Sequence, residues 1–476
     1  MANDDFQAVF HPRSIAVIGA SSDPMKFGGR TYLSMRARLD RERLYPVNPN
    51  ITEIDGAKTY PRIQDIQEDI DFAIITVPAP FVVQAVSDCA EKKVRALEIL
   101  TAGFTETETK EGAEWENQMA DIAQRNNMRI VGPNCFGVYS PLSPLTILPG
   151  PDYPKETGTL GIFAQSGGFT SNLSRRILDL GIRINKAVSY GNACDLNEMD
   201  FLSYFKEEEN TRVIAAYIEG VRNGRRFLDL AKEVTLKKPV IIWKGGLTNQ
   251  GSRAVASHTA SMGGSSIIWQ AFFHQTGAVP AIGVDEMVDL IVGFHCIPDF
   301  KAKRFSVVGG GGAITVAAAD ALEKEGLSIL PFSEDTQKAI RAYLPPHGNS
   351  AKNPVDMGTP RFLAPTLKPI LEAISESDRV DAIIIEQMAF DSSGSIDEKL
   401  AKAISSVHID GGKSIIMTLP QNSTGSEGIS AEQSRRKYRE YYLSHGIPVF
   451  DSLERAVNVL GKILRYNELK ARGNTI

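Results

Sequence analysis

Residues 160–181 read LGIFAQSGGFTSNLSRRILDLG, and residues 305–326 read FSVVGGGGAITVAAADALEKEG. Each is an apolar run, a turn of small residues, an amphipathic helical stretch and a closing glycine. Gly167 and Gly181 match Gly312 and Gly326 at one constant offset. Further on, AAYIE (215–219) pairs with AIIIE (382–386), and PVIIWK (239–244) resembles KSIIMT (413–418). Self-similarity at domain scale, in units of strand, turn and helix, predicts two α/β domains of flavodoxin-like type rather than a solenoid. Their boundary is expected near Pro298 to Lys303.

Outward from the repeat, the N-terminal part alternates in the same way. SIAVIGA (14–20), LYPVN (44–48), FAIITV (72–77), ALEILT (96–101) and MRIVG (128–132) read as buried strands. Helical stretches at Gly28 to Leu39, Pro80 to Lys93 and Lys110 to Asn126 separate them. Continuous apolar strands between helices predict a parallel sheet covered on both faces, a Rossmann-like unit. PLSPLTILPGPDYPKETG (141–158) is Pro-rich and reads as a linker. The expected fold class is α/β, with three consecutive parallel-sheet domains over residues 1–140, 159–300 and 301–476.

Composition narrows the function. Of 476 residues, 42% are hydrophobic and 23% charged, the balance of an ordinary globular protein. Lys and Arg total 52 against 57 Asp and Glu, a formal charge of −5, so nucleic acid or an anionic membrane is not the expected partner. The cysteines at 89, 135, 194 and 296 form no CxxC pair, which argues against a zinc ribbon and a disulfide framework. No metal site is expected on the chain. The N-terminus MANDDFQAVFHPRS lacks a signal peptide's basic start and apolar core, and no run approaches the ~20 apolar residues of a membrane span. A reduced, cytoplasmic protein is the expectation.

VIGASS (17–22) follows a strand and precedes a helix, where unpaired backbone N–H groups can hold a phosphate. It lacks the full GxGxxG, and no acidic residue closes the second strand to bind a ribose 2′-hydroxyl, which points away from NAD. QSGG (165–168) opens a helix directly after a strand, with Ser166 and two glycines leaving room for an anion. GGGG (309–312) repeats the device without a hydroxyl, and tight strand–helix packing is an equal explanation there. Asn134 and Cys135, in GPNCFG (132–137), line the turn after a strand, and Cys135 has no evident basic partner.

His258 stands in VASHTASMGGSS (255–266), a loop too small and polar to bury a histidine as core. Ser257, Thr259 and Ser261 could hydrogen-bond an anion carried on the imidazole. A histidine acts as nucleophile when its second nitrogen is held in the right tautomer. Glu219 ends the strand VIAAYIE, where α/β sheets place their sites, and a carboxylate there could orient His258. The repeat keeps Glu386 but has LPQNSTGSEG in place of the histidine loop. The other histidines, 11, 274, 295, 347, 408 and 445, read as surface or structural. GxSxG, HExxH and Walker A motifs are absent.

Together these motifs resemble the NDP-forming acyl-CoA synthetase family, over roughly residues 8 to 470. ASHTASMGG (256–264) is similar to the family's phosphohistidine loop, and GPNCFG, QSGG, YIEG (217–220) and NPVDMG (353–358) follow in family order. The resemblance implies a CoA-binding first domain and two ligase-CoA domains. It implies CoA contacts at Gly19, Ala20, Ser21 and Ser22, at Pro46, Val47 and Asn48, at Val77 and Pro78, and at Thr101, Ala102 and Gly103. His258 would carry the phosphoryl group between an acyl phosphate and ADP, held by Glu219. Ser166, Gly167, Gly168 and Asn134 would bind phosphate. Ala260 stands where the family usually has Gly, and Met262-Gly263 where it usually has Leu-Ala.

The nucleotide, as ADP or ATP with Mg2+, is expected on a separate ATP-grasp β subunit, since no such module follows the third domain. The expected substrates are CoA and a carboxylic acid or its thioester. The alternatives are a CoA- or acyl-CoA-binding regulatory protein without full catalysis, and an NAD-linked dehydrogenase. Binding of CoA rather than NAD separates these two.

Overall fold

The computed structural model of the chain describes residues 3–38, 43–143, 145–146, 153–248, 250–251, 253, 265–388, 394–421 and 427–473. Two compact units divide it, Met1–Val284 and Asp285–Ile476.

The first unit holds two main sheets. In the first, β1 (Ile15–Ile18), β2 (Leu44–Val47), β5 (Phe72–Ile75), β6 (Ala96–Ile99) and β7 (Arg129–Val131) run parallel in the spatial order β2-β1-β5-β6-β7. Between β2 and β5, β3 (Glu53–Ile54) and β4 (Ala57–Lys58) pair as a small antiparallel ribbon. All residues of β1, β2, β5 and β6 are buried, which explains why these runs are apolar instead of alternating, with Glu98 in β6 the exception. Helices Phe27–Arg36, Val82–Glu91 and Lys110–Arg125 make the crossovers. The last is capped by Thr109, whose hydroxyl accepts the Gly112 N–H at 3.1 Å.

In the second sheet, β9 (Leu160–Ala164), β10 (Ile184–Ser189), β11 (Val213–Ile218), β12 (Val240–Lys244) and β13 (Val279–Pro280) run parallel in the order β13-β12-β11-β9-β10. The far edge is completed by β8 (Gly137–Tyr139), antiparallel to β10 with Val138 opposite Val188. The chain thus leaves the first sheet after β7 and enters the second within six residues. Arg129, at the start of β7, forks onto Asp195 of the second sheet's loops at 2.9 and 3.0 Å.

Helix Asn3–Phe10, which the strand–helix alternation did not anticipate, seats Phe6 and Phe10 with ring centroids 4.6 and 4.7 Å from Tyr204. Its apolar residues Phe6, Val9 and Phe10 fall at the i, i+3, i+4 spacing of one helix face, and all three are buried.

The second unit has one five-stranded parallel sheet. Its strands β14 (Phe305–Gly309), β15 (Val355–Asp356), β16 (Ala382–Glu386), β17 (Ser414–Thr418) and β18 (Val449–Phe450) lie in the order β15-β14-β16-β17-β18. Residues 285–296 of the helix Gly283–Cys296 pack against the helix Leu453–Gly473, where Arg455 forks onto Asp289 at 2.6 and 2.9 Å. Among the described residues, no helix is long and apolar enough to cross a membrane.

Counted along the chain, the parallel strands of all three sheets share the order 2-1-3-4-5. Such a sheet opens a crevice at the C-terminal ends of its first and third strands, where the crossovers depart to opposite faces. The crevices here lie between β1 and β5, between β9 and β11, and between β14 and β16.

Candidate active site

The β9/β11 crevice gathers Gln165, Ser166 and Glu219. Ser166 ends the turn after β9 and caps the helix Gly167–Asp179, its hydroxyl accepting the Phe169 N–H at 3.3 Å. Gly167 lies against the Phe136 ring, and a Cβ there would stand 2.6 Å from it. Gly168 faces open space, with nothing within 4 Å of where its Cβ would be. The first N–H groups of a 13-residue helix are therefore reachable by a small anion.

Glu219 stands one residue beyond β11 and is 5% exposed. The Tyr217 hydroxyl donates to its Oε1 at 3.1 Å. Its Oε2 is buried and has no partner among the described residues. Burial, then the charge and hydrogen bond of Glu219, push the Tyr217 hydroxyl upward, so it stays a donor.

Lys244, the last residue of β12, is also buried and donates to the main-chain oxygens of Glu219, at 2.8 Å, and of Gly245. Its ammonium lies 5.5 Å from the Trp269 ring centroid. Burial pulls this lysine down to about 8, against the opposing charge of Glu219. On the other side of the turn, Gln165 Oε1 accepts the N–H of Gly220 at 3.0 Å and that of Glu219.

Asn134 stands on the connection between the two sheets of the unit, and its contacts are with residues following β6 and β10. Its φ is +57°, its N–H donates to Thr101 O at 3.0 Å, and its side chain meets the Asn192 amide oxygen at 3.3 Å. The neighbouring Phe136 N–H donates to the Ser189 hydroxyl at 3.2 Å. Cys135 is 3% exposed, and burial holds its thiol well above the ordinary range. This cysteine is packing, in keeping with its lack of a basic partner.

The residues singled out in the first sheet gather on one edge. Gly19–Ser22, Asn48, Val77–Pro78 and Thr101–Gly103 all follow the C-terminal ends of adjacent parallel strands. Gly19 has φ +88° and donates to Val47 O at 2.9 Å. Gly28, in the first turn of the next helix, packs so close that a Cβ would stand 2.0 Å from Gly19 O. That helix begins at Phe27, so residues 23–26 intervene between the serines and its N-terminus. Ser21 is buried and accepts the Asp23 N–H at 3.1 Å, whereas Ser22 is exposed. The Asn48 amide donates to Ala20 O at 2.8 Å. Pro46 and Val47 lie inside β2, buried, with their carbonyls taken by Tyr60 and Gly19.

Two family models match the chain, a CoA binding domain over residues 13–141 and a succinyl-CoA ligase like flavodoxin domain over residues 157–294. The acetate–CoA ligase (ADP-forming) I subunit alpha of Pyrococcus furiosus is 33% identical over 485 residues, covering 98% of each chain. The chain belongs to the family of ADP-forming acetate–CoA ligase α subunits, within the NDP-forming acyl-CoA synthetases. The isoform II subunit alpha of P. furiosus is 39% identical over 73% of this chain and 75% of its own. Among solved structures, the dinucleotide forming acetyl-coenzyme A synthetase 1 of Ca. Korarchaeum cryptofilum, in complex with phosphate and ADP, superposes with a TM-score of 0.83. That match has 28% identity and covers 99% of both chains.

For this acetate–CoA ligase relative, the structure brings Ser166, Gly167, Gly168 and Glu219 to one crevice. His258 lies outside the described residues, as do Ala260, Met262 and Gly263. In the sequence that stretch follows β12, the strand next to β11, and Lys244 ties those two strand ends together. In the β14/β16 crevice, Gly311 precedes the helix Gly312–Lys324, and Glu386 is only half-buried, pushed up by burial and by Glu454. Three residues around Glu219 were not singled out in the sequence: Gln165, Tyr217 and Lys244. A signal existed for Lys244, a lone charge ending the apolar strand VIIWK. Gln165 and Tyr217 stand in the QSGG and YIEG motifs, but no pattern in the sequence says that the amide of one would reach the Glu219 turn or that the hydroxyl of the other would meet its carboxylate.

Proposed function

We propose that the chain is the α subunit of an ADP-forming acyl-CoA synthetase, catalysing acyl-CoA + phosphate + ADP ⇌ carboxylic acid + CoA + ATP. One observation carries the reading: the buried Oε2 of Glu219 is unpartnered beside an open helix N-terminus. The carboxylate offers a site for an imidazole N–H, and the helix offers donors for a phosphoryl group. Family membership and the CoA-binding model over residues 13–141 support the same assignment.

In this reading CoA lies along the strand ends at Gly19–Ser22, Asn48, Val77–Pro78 and Thr101–Gly103. An oxygen of phosphate attacks the thioester carbon, the C–S bond breaks, and CoA leaves as thiolate. A ring nitrogen of His258 then attacks the phosphorus of the acyl phosphate. An N–P bond forms, the P–O bond to the acyl group breaks, and the carboxylate departs. Glu219 takes the N–H of the other ring nitrogen and balances the imidazolium charge. The Ser166 hydroxyl, the N–H groups after it and the Asn134 amide receive the phosphoryl oxygens. A terminal oxygen of ADP finally takes the phosphoryl group and frees the imidazole. The relatives' names as α subunits support a partner subunit, and this reading assigns the nucleotide and its Mg2+ to that partner as an ATP-grasp protein.

The full chain incubated with acetyl-CoA and radiolabelled phosphate is expected to acquire acid-labile, base-stable label on residues 254–264. His258→Asn abolishes that label and leaves CoA binding by calorimetry within about twofold. Synthetase activity retained by His258→Asn alongside the partner subunit overturns the reading, as does label on any other residue.

A further inference from the structure

Gln165 lies between β9 and the helix cap Ser166. Its main-chain N–H donates to Tyr217 O at 3.2 Å, which fastens it to β11. Its side chain bridges the crevice, Oε1 accepting both backbone N–H groups of the turn that carries Glu219. Two donors converging on one atom settle the orientation of the amide, because an NH2 group cannot face two N–H groups. The same turn is held from its far side by Lys244 on Glu219 O, so the amide cannot rotate without freeing both N–H groups. The Nε2 of Gln165 is therefore presented as a donor, with no protein partner among the described residues.

We propose that Gln165 is a phosphate-binding residue, its Oε1 holding the Glu219 turn and its NH2 donating to phosphoryl oxygens at the Ser166 helix N-terminus. The proposal rests on the reading of this crevice as the phosphoryl-transfer site. A neutral donor suits the position chemically. Lysine or arginine at 165 would neutralise Glu219 and weaken its hold on an imidazolium, whereas an amide stabilises phosphoryl oxygens without that competition. The bridge also couples the two tasks, since the atoms that receive phosphate and the carboxylate that steadies the histidine are joined through one side chain.

Gln165→Glu separates the two halves of the amide. A carboxylate oxygen still accepts both N–H groups of the turn, but the other oxygen meets the phosphoryl group as an anion. The full chain is incubated with saturating acetyl-CoA and increasing labelled phosphate, and label on His258 is measured. Gln165→Glu is expected to raise the phosphate concentration for half-maximal labelling at least tenfold. Its CoA affinity and melting temperature stay at wild-type values. Should the added charge lower the melting temperature, Gln165→Met, neutral and of similar length, reads the same constant with an expected rise of about fivefold or more. A half-maximal phosphate concentration within twofold of wild type in a folded variant overturns the assignment of Gln165 alone. Absence of His258 label in the wild-type chain removes the phosphoryl-transfer reading itself, and the proposal with it.

Discussion

Glu98→Gln is the perturbation whose outcome follows most directly from the structure. Glu98 sits in the buried strand β6 and is 2% exposed. Its Oε2 accepts the Val138 N–H at 3.0 Å, and the carboxyl lies against Gly137, where a Cβ would come within 2.2 Å of it. Burial pushes this carboxyl from 4.5 up to about 8, with the Val138 N–H pulling back. Between those values the folded chain keeps a proton that the unfolded chain releases, so stability falls as pH rises, and levels off above about 8. At ~1.4 kcal/mol per unit the window is worth at most ~5 kcal/mol. Solvent relaxation around the ionised group leaves about 2–3 kcal/mol.

Glutamine is isosteric with the protonated acid, keeps the acceptor for Val138, and never ionises. Wild type and Glu98→Gln are therefore expected to melt within about 2 °C of one another at pH 5. At pH 8.5 the variant melts higher by about 5–10 °C, from the conversion of ~2–4 °C per kcal/mol for a domain of this size. Scanning calorimetry across pH 5 to 9, following the transition of the first unit, measures the difference. Every other titrating group is common to both chains and cancels. Parallel melting curves for the two proteins across that range refute the reasoning.

Gly28→Ala forces a Cβ to 2.0 Å from Gly19 O, a backbone atom that cannot swing aside, so the turn after β1 must shift. A loss of about 1–3 kcal/mol in chemical denaturation is expected, with CoA affinity by calorimetry weakened at least tenfold. Wild-type affinity in that variant rules out the Gly19 turn as the CoA contact. Arg455→Met leaves the Asp289 carboxyl, 6% exposed and already raised by burial to about 6, without its cation. The second unit is expected to lose about 3 kcal/mol at pH 8 and distinctly less at pH 5, where Asp289 takes up a proton. A deficit independent of pH contradicts that account.

What the sequence by itself determined is everything that repeats locally. An apolar run followed by small residues and an amphipathic stretch folds as strand, turn and helix wherever it occurs. The five strands expected in the first domain are the five of its sheet, and Ser166 does cap the helix that QSGG announced. The repeat at 160–181 and 305–326 foretold that two sheets would share one strand order. Glu219 and Glu386 could be placed at crevices because the C-terminal end of a parallel strand is readable from pattern alone.

Tertiary structure alone decided the contacts made across long separations. Nothing in GVY (137–139) says that it will pair antiparallel with β10, or that Glu98 will lie beneath it, because register depends on which edge is free after the other strands have assembled. The amphipathic helix Asn3–Phe10 carried a legible apolar face, but its docking partner Tyr204 lies some 200 residues away. Gln165 opens the QSGG turn, a motif that says nothing of what its side chain meets. Only the adjacency of β9 and β11 brings the Glu219 and Gly220 N–H groups to its amide oxygen and turns its NH2 outward. Side-chain direction and pairing between strands are set by packing, which a one-dimensional pattern constrains only through period and polarity.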